Sequence, residues 1–184
     1  MTSLKSEIAQ QRPFSSHEEE ALLNIMRTAD CLQREFQRRS REFGVTSTQY
    51  NVLRILRGSH PEGLTCSALG DRMITAEPDI TRLLKRLSAL GFIRQKRDAA
   101  DRRVVRTSIS AKGLDLLARM DPLIEKTPRD LLGHLSAPQI EQLIALTEAA
   151  RSSCAGAAAG EPNCDGTGKV SCDGVVDGEK KKRA

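Results

Sequence analysis

Apolar residues recur at helical spacing over most of the first 151 positions. Leu22, Ile25, Met26, Ala29, Leu32 and Phe36 keep the three- and four-residue intervals of one helix face. Ser15 and Ser16 stand three residues before Glu18 and Glu19, a capping-box spacing that predicts a long first helix over about 17–43, ended by Gly44. Thr46 with Gln49 makes a second box ahead of Tyr50, Val52, Leu53, Ile55 and Leu56, so a second helix runs to about Gly58. After a loop containing Pro61 and Gly63, Thr65 is placed to cap a short third helix carrying Ala68, Leu69 and Met73. Pro78 suits the first turn of a fourth helix, where its missing N–H costs nothing, and this helix continues through Ile80, Leu83, Leu84 and Leu87 to Gly91.

The period then changes. Phe92 and Ile93 on one side, and Val104, Val105 and Ile109 on the other, flank the polar stretch KRDAADRR, which reads as two strands of a hairpin with a charged tip. Ser110 opens another helix whose apolar face carries Leu114, Leu116, Leu117 and Met120, and which Pro122 and Pro128 should kink or interrupt by removing backbone donors. Ser136 and Gln139 form a third box for a last helix with Ile140, Leu143, Ile144 and Leu146. Order is expected to end near Arg151, because the tail 152–184 is small, polar and glycine-rich, too poor in apolar groups to offset ordering entropy. The succession is mainly α with a small β-hairpin wing: a winged helix-turn-helix between N- and C-terminal helices.

Composition narrows the chemistry. Aromatics make up 3% of the 184 residues, with no tryptophan and one tyrosine, which argues against base-stacking surfaces for single strands and requires an aliphatic core. No stretch approaches a membrane span, and the N-terminus lacks the apolar core of a secretory signal, so a cytoplasmic protein with reduced cysteines is expected. A phosphate-binding glycine loop, a nucleophile elbow and a metal-ligand pair at helical spacing are all missing, so no enzyme and no cofactor are expected. The net charge of +5 is unevenly placed: between Arg72 and Lys112 there are 11 Lys or Arg against 4 Asp or Glu, whereas the tail from Ser152 is neutral. A basic concentration of that kind suits a phosphate-facing surface, since each neutralised phosphate releases counterions; a solvated charged face is the plainer alternative.

The runs VTSTQYNVL, LTCSALGDRM, DITRLLKRLSALGFIRQK and DAADRRVVRTSISAKG together resemble the MarR family of bacterial transcription regulators, over about residues 17–151. The resemblance implies a homodimer in which the terminal helices of two chains intertwine and two winged modules face a double-stranded DNA operator. It further implies a repressor released by a small phenolic or other aromatic ligand. Two alternatives remain: an oxidant-sensing regulator of the same family acting through cysteine, and a winged helix used for protein contact.

The helix opening TAEPDITR is the expected reader of the major groove, with Thr75, Asp79, Thr81 and Arg82 as candidates for base contact and Lys85 and Arg86 for phosphates. Glu77 and Asp79 equally fit the positive end of a helix. In the wing, the resemblance places Arg103 in the minor groove, with Asp101 holding its side chain, while Arg97 and Arg102 add phosphate contacts. His17, His60 and His134 belong to different elements and suggest no metal site. Cys31 lies too late in the first helix for the reactive position of peroxide-sensing relatives, Cys66 reads as a small hydrophobe, and Cys154, Cys164 and Cys172 lack zinc-module spacing. In the family the effector sits between the dimerisation helices and the winged module, here the first, second and fifth helices. Arg34, Arg38 and Tyr50 are conceivable lining residues, with surface salt bridges and core packing as their simpler roles.

Overall fold

In the computed structural model, which describes residues 3–98 and 101–154, the helices form in the anticipated order. They are α1 (Leu4–Glu7), α2 (His17–Arg41), α3 (Ser47–Arg57), α4 (Cys66–Gly70), α5 (Ile80–Ala89), α6 (Ala111–Leu132) and α7 (Ala137–Ser152), with strands β1 (Ile93–Arg97) and β2 (Val105–Ile109) between α5 and α6. The fold is a winged helix-turn-helix set between terminal helices. No helix among the described residues is long and apolar enough to cross a membrane. Most of the expected tail, from residue 155 on, lies outside the described residues, as do Cys164 and Cys172.

Side chains start these helices much as their spacing anticipates. Ser16 Oγ accepts the Glu19 N–H at 3.2 Å, and the Glu19 carboxylate reaches back to Ser15, accepting from its N–H at 2.6 Å and its hydroxyl at 2.7 Å. Thr46 and Gln49 exchange both bonds of the second box at 3.1 and 2.9 Å, and Gln139 accepts from the Ser136 N–H at 2.9 Å. Three expectations need correction. Helix α2 stops at Arg41, not at 43, and the chain turns through Gly44 at φ +75°. Helix α4 ends at Gly70, short of Met73, which still packs against the core. Pro78 lies ahead of α5: Asp79 is its N-cap, accepting the Arg82 N–H at 2.8 Å, because an aspartate satisfies an orphan donor that proline leaves alone. Helix α1, a single turn with buried Leu4, is too short for any periodicity to announce.

The prolines of α6 do not interrupt it. Pro122 and Pro128 both lie inside one helix from Ala111 to Leu132. Each deprives only one carbonyl of its donor, and both rings are exposed, on the side where water can substitute. The opposite side is anchored. Leu116, Leu117 and Met120 are fully buried with Leu53, Leu56, Leu69 and Leu87 in an aliphatic core, where Tyr50 stacks obliquely on Phe36 at 5.5 Å between ring centroids. Arg57 of α3 donates to both oxygens of Asp121 at 3.0 and 2.8 Å. Arg39 of α2, with its side chain 11% exposed, donates to Thr127 Oγ1 at 3.0 Å, Asp130 at 2.8 Å and Glu35 at 2.9 Å.

The wing pairs Ile93 with Ile109 through to Arg97 with Val105, antiparallel. A bridge outside the two strands is absent from the hydrophobic pattern: Leu64 exchanges backbone bonds with Thr107 at 2.9 and 2.7 Å. Gly63 permits it, since at φ +71° a Cβ there would meet the Thr107 carbonyl oxygen at 2.5 Å. The hairpin base is thereby fastened to the winged module while its tip projects. On the terminal helices, Leu22, Ile25 and Met26 of α2 and Leu143, Ile144 and Leu146 of α7 stay exposed, Leu146 at 69%.

The Arg39 cluster carries a pH signature. Hydrogen bonds from Arg38 and Arg39 pull the Glu35 carboxyl from 4.5 down to about 2. A carboxylate with a depressed folded pKa stabilises fully above its unfolded value and loses that contribution as the pH falls toward the folded one. Urea midpoints should therefore fall between about pH 4.5 and pH 2 through this group, and Glu35→Gln should lower the midpoint near neutrality while flattening that part of the curve. Parallel curves for the two proteins would show that Glu35 is not the group responsible.

Candidate nucleic-acid interface and ligand cleft

Helix α5 divides its residues sharply. Leu83, Leu84 and Leu87 are buried in the winged core, and Thr81, Arg82, Lys85 and Arg86 face solvent on the other side. Thr75 is exposed in the segment joining α4 to α5. Asp79 is exposed too, but its carboxylate is committed to the Arg82 N–H, so of its two readings the helix-terminal one is realised in the free protein. The turn after α5 is closed by Phe92 N–H on the Leu87 carbonyl at 3.0 Å, which leads straight into β1 and the wing.

At the wing tip Arg102 and Arg103 are exposed, as is Arg97 at the end of β1. Asp101 bonds to the backbone in the free protein. Its carboxylate accepts the backbone N–H of Arg103 at 2.9 Å and its carbonyl accepts that of Val104 at 3.0 Å, the local turn bonding that aspartate favours. It shapes the tip. Ala99 and Ala100, in the middle of the tip, lie outside the described residues.

Pairing separates two kinds of arginine. Along α2, Arg34 pairs with Asp30, Arg38 with Glu35 and Glu42, and Arg39 with Glu35 and Asp130. In the basic segment, Arg106 pairs with Asp98 at 2.6 Å, Lys112 donates to the Leu90 carbonyl at 2.9 Å while lying over the Phe92 ring, and Arg72 donates to Ser59. Among the described residues no carboxylate pairs with Arg82, Lys85, Arg86, Arg97, Arg102 or Arg103. Cations held apart from protein carboxylates keep their charge for an outside anion, which a merely solvated face of alternating sign does not.

A second feature lies away from this surface. Helices α2, α3 and α6 and the α4–α5 segment enclose a cleft of ≈ 400 Å³. Leu32, Phe36, Tyr50, Ile74, Ile124 and Leu131 give it apolar walls, with Asn51, Arg54 and Thr127 as polar members. Tyr50 is among the lining residues, and burial raises its phenol above the ordinary range. Arg34 and Arg38 are elsewhere, on an open depression of ≈ 690 Å³ with Gln37, Arg41 and Glu42. Asn51, Arg54 and Ile74 escaped the reading of the sequence. The missed signal was a second stripe on α3: Ser47, Tyr50, Asn51 and Arg54 follow at helical intervals on the cleft side, while Val52, Leu53 and Leu56 turn into the core. Among the described residues no group of three His, Cys, Asp or Glu is placed to hold a metal. Cys31 and Cys154 are exposed and Cys66 is partly buried.

Comparison with known proteins places this architecture. Residues 43–104, from the lead-in of α3 to the wing tip, match the model of the MarR family. The chain is 37% identical to a MarR transcription factor from Planctomyces limnophilus whose structure is solved, over 74% of this chain and 98% of that one, with a TM-score of 0.57. It shares its fold with MepR of S. aureus, solved in complex with DNA, at 22% identity, 72% and 96% coverage and a TM-score of 0.64. It does so as well with BpsR of Bordetella bronchiseptica, whose DNA binding is regulated by 6-hydroxynicotinic acid, at 20% identity, 74% and 96% coverage and a TM-score of 0.65. A winged helix with unpaired cations on its exposed helix and wing, and a relative this similar over nearly its whole length, identify the chain as a member of the MarR family of DNA-binding transcription regulators.

Proposed function

We propose that the protein is a homodimeric, sequence-specific repressor that binds a double-stranded operator through α5 and the wing and is released by a small aromatic ligand in the α2–α3–α6 cleft. The observation that carries the reading is the set of exposed cations on α5 and the wing that pair with no carboxylate among the described residues. Residues 17–151 form the regulatory unit. Thr75, Thr81 and Arg82 meet base edges, Lys85, Arg86, Arg97 and Arg102 meet phosphates, and Arg103 enters the minor groove. Asp79 and Asp101 act through backbone: the first caps the reading helix and the second shapes the turn that presents Arg103. The bound complex of MepR and the regulated DNA binding of BpsR support the two halves of this reading by analogy of fold.

Base and phosphate roles separate in one experiment. Arg82→Ala should cost on the order of 1–3 kcal/mol on the operator and relax discrimination at one base pair. Lys85→Ala should weaken operator and random duplex alike and reduce the salt dependence. Equal losses for both variants on both DNAs would refute the division of labour, and failure to bind duplex DNA in a salt-dependent way would favour the protein-contact reading.

The wing is tested by a double-mutant cycle. Arg103→Ala leaves Ile93, Ile109 and the hairpin ladder in place, so melting should be unchanged while operator affinity falls. Asp101→Ala frees the turn without removing the cation and should give a smaller loss, because part of the lost preorganisation is regained on binding. If Asp101 acts by presenting Arg103, the second substitution costs little once the first is made. Additive losses would mean that the two residues act separately.

The dimer follows from the uncovered apolar faces of α2 and α7. Burying Leu22, Ile25, Met26, Leu143, Ile144 and Leu146 against a second copy removes the exposed patches that one chain leaves on both terminal helices. Dilution should lower the melting temperature, and Leu146→Glu should shift sedimentation toward the monomer and abolish operator binding. A folded monomer at nanomolar concentration would defeat this.

A further inference from the structure

The wing has a second charged region, away from its tip. Register and alternation put Ile93, Gln95, Thr107 and Ile109 on the side of the hairpin that meets the winged core, and Arg94, Lys96, Arg106 and Ser108 on the other. Ile93, Thr107 and Ile109 are buried, whereas Arg94, Lys96 and Arg106 are exposed. Lys96 stands directly across from Arg106, a like-charged pair that opposes the ladder. Asp98 takes up Arg106 at 2.6 Å, and among the described residues no carboxylate pairs with Lys96 or Arg94. An uncharged polar residue at position 96 would avoid the repulsion, so the hairpin itself gives no reason for a cation there. None of the four outer residues is apolar or aromatic, the reverse of the core of a protein–protein contact. Residues two apart on a strand stand about 7 Å from each other, close to the separation of neighbouring phosphates on one strand of a duplex.

Resting on the reading of α5 and the wing tip as the operator surface, we propose that the outer face of the hairpin binds duplex DNA beyond the operator, Lys96 and Arg94 holding successive phosphates of the flank. Both residues lie nearer the winged core than the tip does, so flanking DNA reaches them by curving toward the protein, a deformation that the added contacts offset. Their role is independent of base sequence, and each phosphate neutralised releases counterions.

The probes are a duplex selected by the protein from random sequence and trimmed to its selected core, and the same core extended by about ten base pairs of random sequence, one helical turn, at each end. The full-length wild type should bind the extended duplex about tenfold or more tightly than the core at low salt, with a slope of log K against log salt steeper by about 3 to 4 for two phosphates per protomer of a dimer. Its hydroxyl-radical footprint should reach into both extensions. Arg94→Gln with Lys96→Gln should bind the core as the wild type does and lose the gain on the extended duplex, while melting holds or rises because the like-charged pair is gone. Since the variant meets the same DNA ends, differences due to duplex length alone cancel in the comparison. Lys96→Glu is the second variant: it sets a carboxylate opposite Arg106, which favours the hairpin, yet it should weaken the extended duplex further. No length gain in the wild type, as for a solvated face or one kept for an acidic protein, would overturn this inference and leave operator binding intact. So would a gain that survives both substitutions, or an equal loss on core and extended duplexes. Selection that yields no bound duplex at all would overturn the operator reading as well.

Discussion

Helix α6 is the member on which the rest of the molecule depends, and two arginines hold it. Arg57 from α3 clasps Asp121, just before the two prolines, and Arg39 from α2 clasps Thr127 and Asp130, on either side of Pro128, all beyond the buried Leu116–Met120 stretch. At its other end Ser110 caps the helix and donates to the Gly91 carbonyl at 2.7 Å, tying it to the turn between α5 and the wing. Gly113 follows because a Cβ there would strike the Phe92 carbonyl oxygen at 2.4 Å. One continuous rod therefore joins the winged module to the terminal helices. Partly buried ion pairs with several hydrogen bonds are costly to half-remove, so their value lies in fixing how α2, α3 and α6 sit together.

The same arginine side chain does opposite work in two parts of the chain. On α2, neighbours at three- and four-residue intervals supply carboxylates, so the helix face is internally neutral and its charges hold structure. On α5 the residues at those intervals are Leu83, Leu84 and Leu87 inward and further cations outward, while Asp79 and Asp101 bond to backbone and Asp98 pairs with Arg106. The basic excess is in this way concentrated on exposed side chains. Charge counts along the sequence located the segment, and only the pairing decided which of its cations were free of carboxylates.

Much of the fold was legible because local signals and burial agree. The capping spacings at Ser16, Thr46, Thr65 and Ser136 mark true helix starts, and the change of period after Gly91 marks the hairpin. What could not be read is what tertiary context decides. Proline propensity argued for a break in α6 that anchoring on the opposite face overrides. The Leu64–Thr107 rung joins residues far apart in sequence and needs one glycine's missing Cβ. Asn51 escaped notice between apolar neighbours, since nothing in a linear pattern tells a cleft-lining stripe from a core-facing one. The exposed face of α5 was legible, whereas the bond from the Asp101 carboxylate to the Arg103 backbone was not, because carboxylate-to-backbone bonding at a turn competes with pairing to a nearby guanidinium.

In the proposed regulator, the cleft and the DNA surface meet at one short segment. Ile74 and Thr75 line the cleft, and Thr75 is also a candidate for base contact, so the link between α4 and α5 borders both sites. Ile74 is 76% exposed, an unusual state for an isoleucine at the edge of an apolar cavity, and it leaves apolar surface uncovered in the free protein. A ligand can shift the DNA-binding arrangement only by the difference in its affinity for the two states. Walls that did not move could supply no such difference: α2, α3 and α6 are clasped together by Arg39 and Arg57 and would bind a ring equally in both. The α4–α5 segment carries no such clasp to α6 among the described ion pairs. On the proposed reading, the differential contact falls to Ile74 and Thr75, which border the cleft and precede the reading helix.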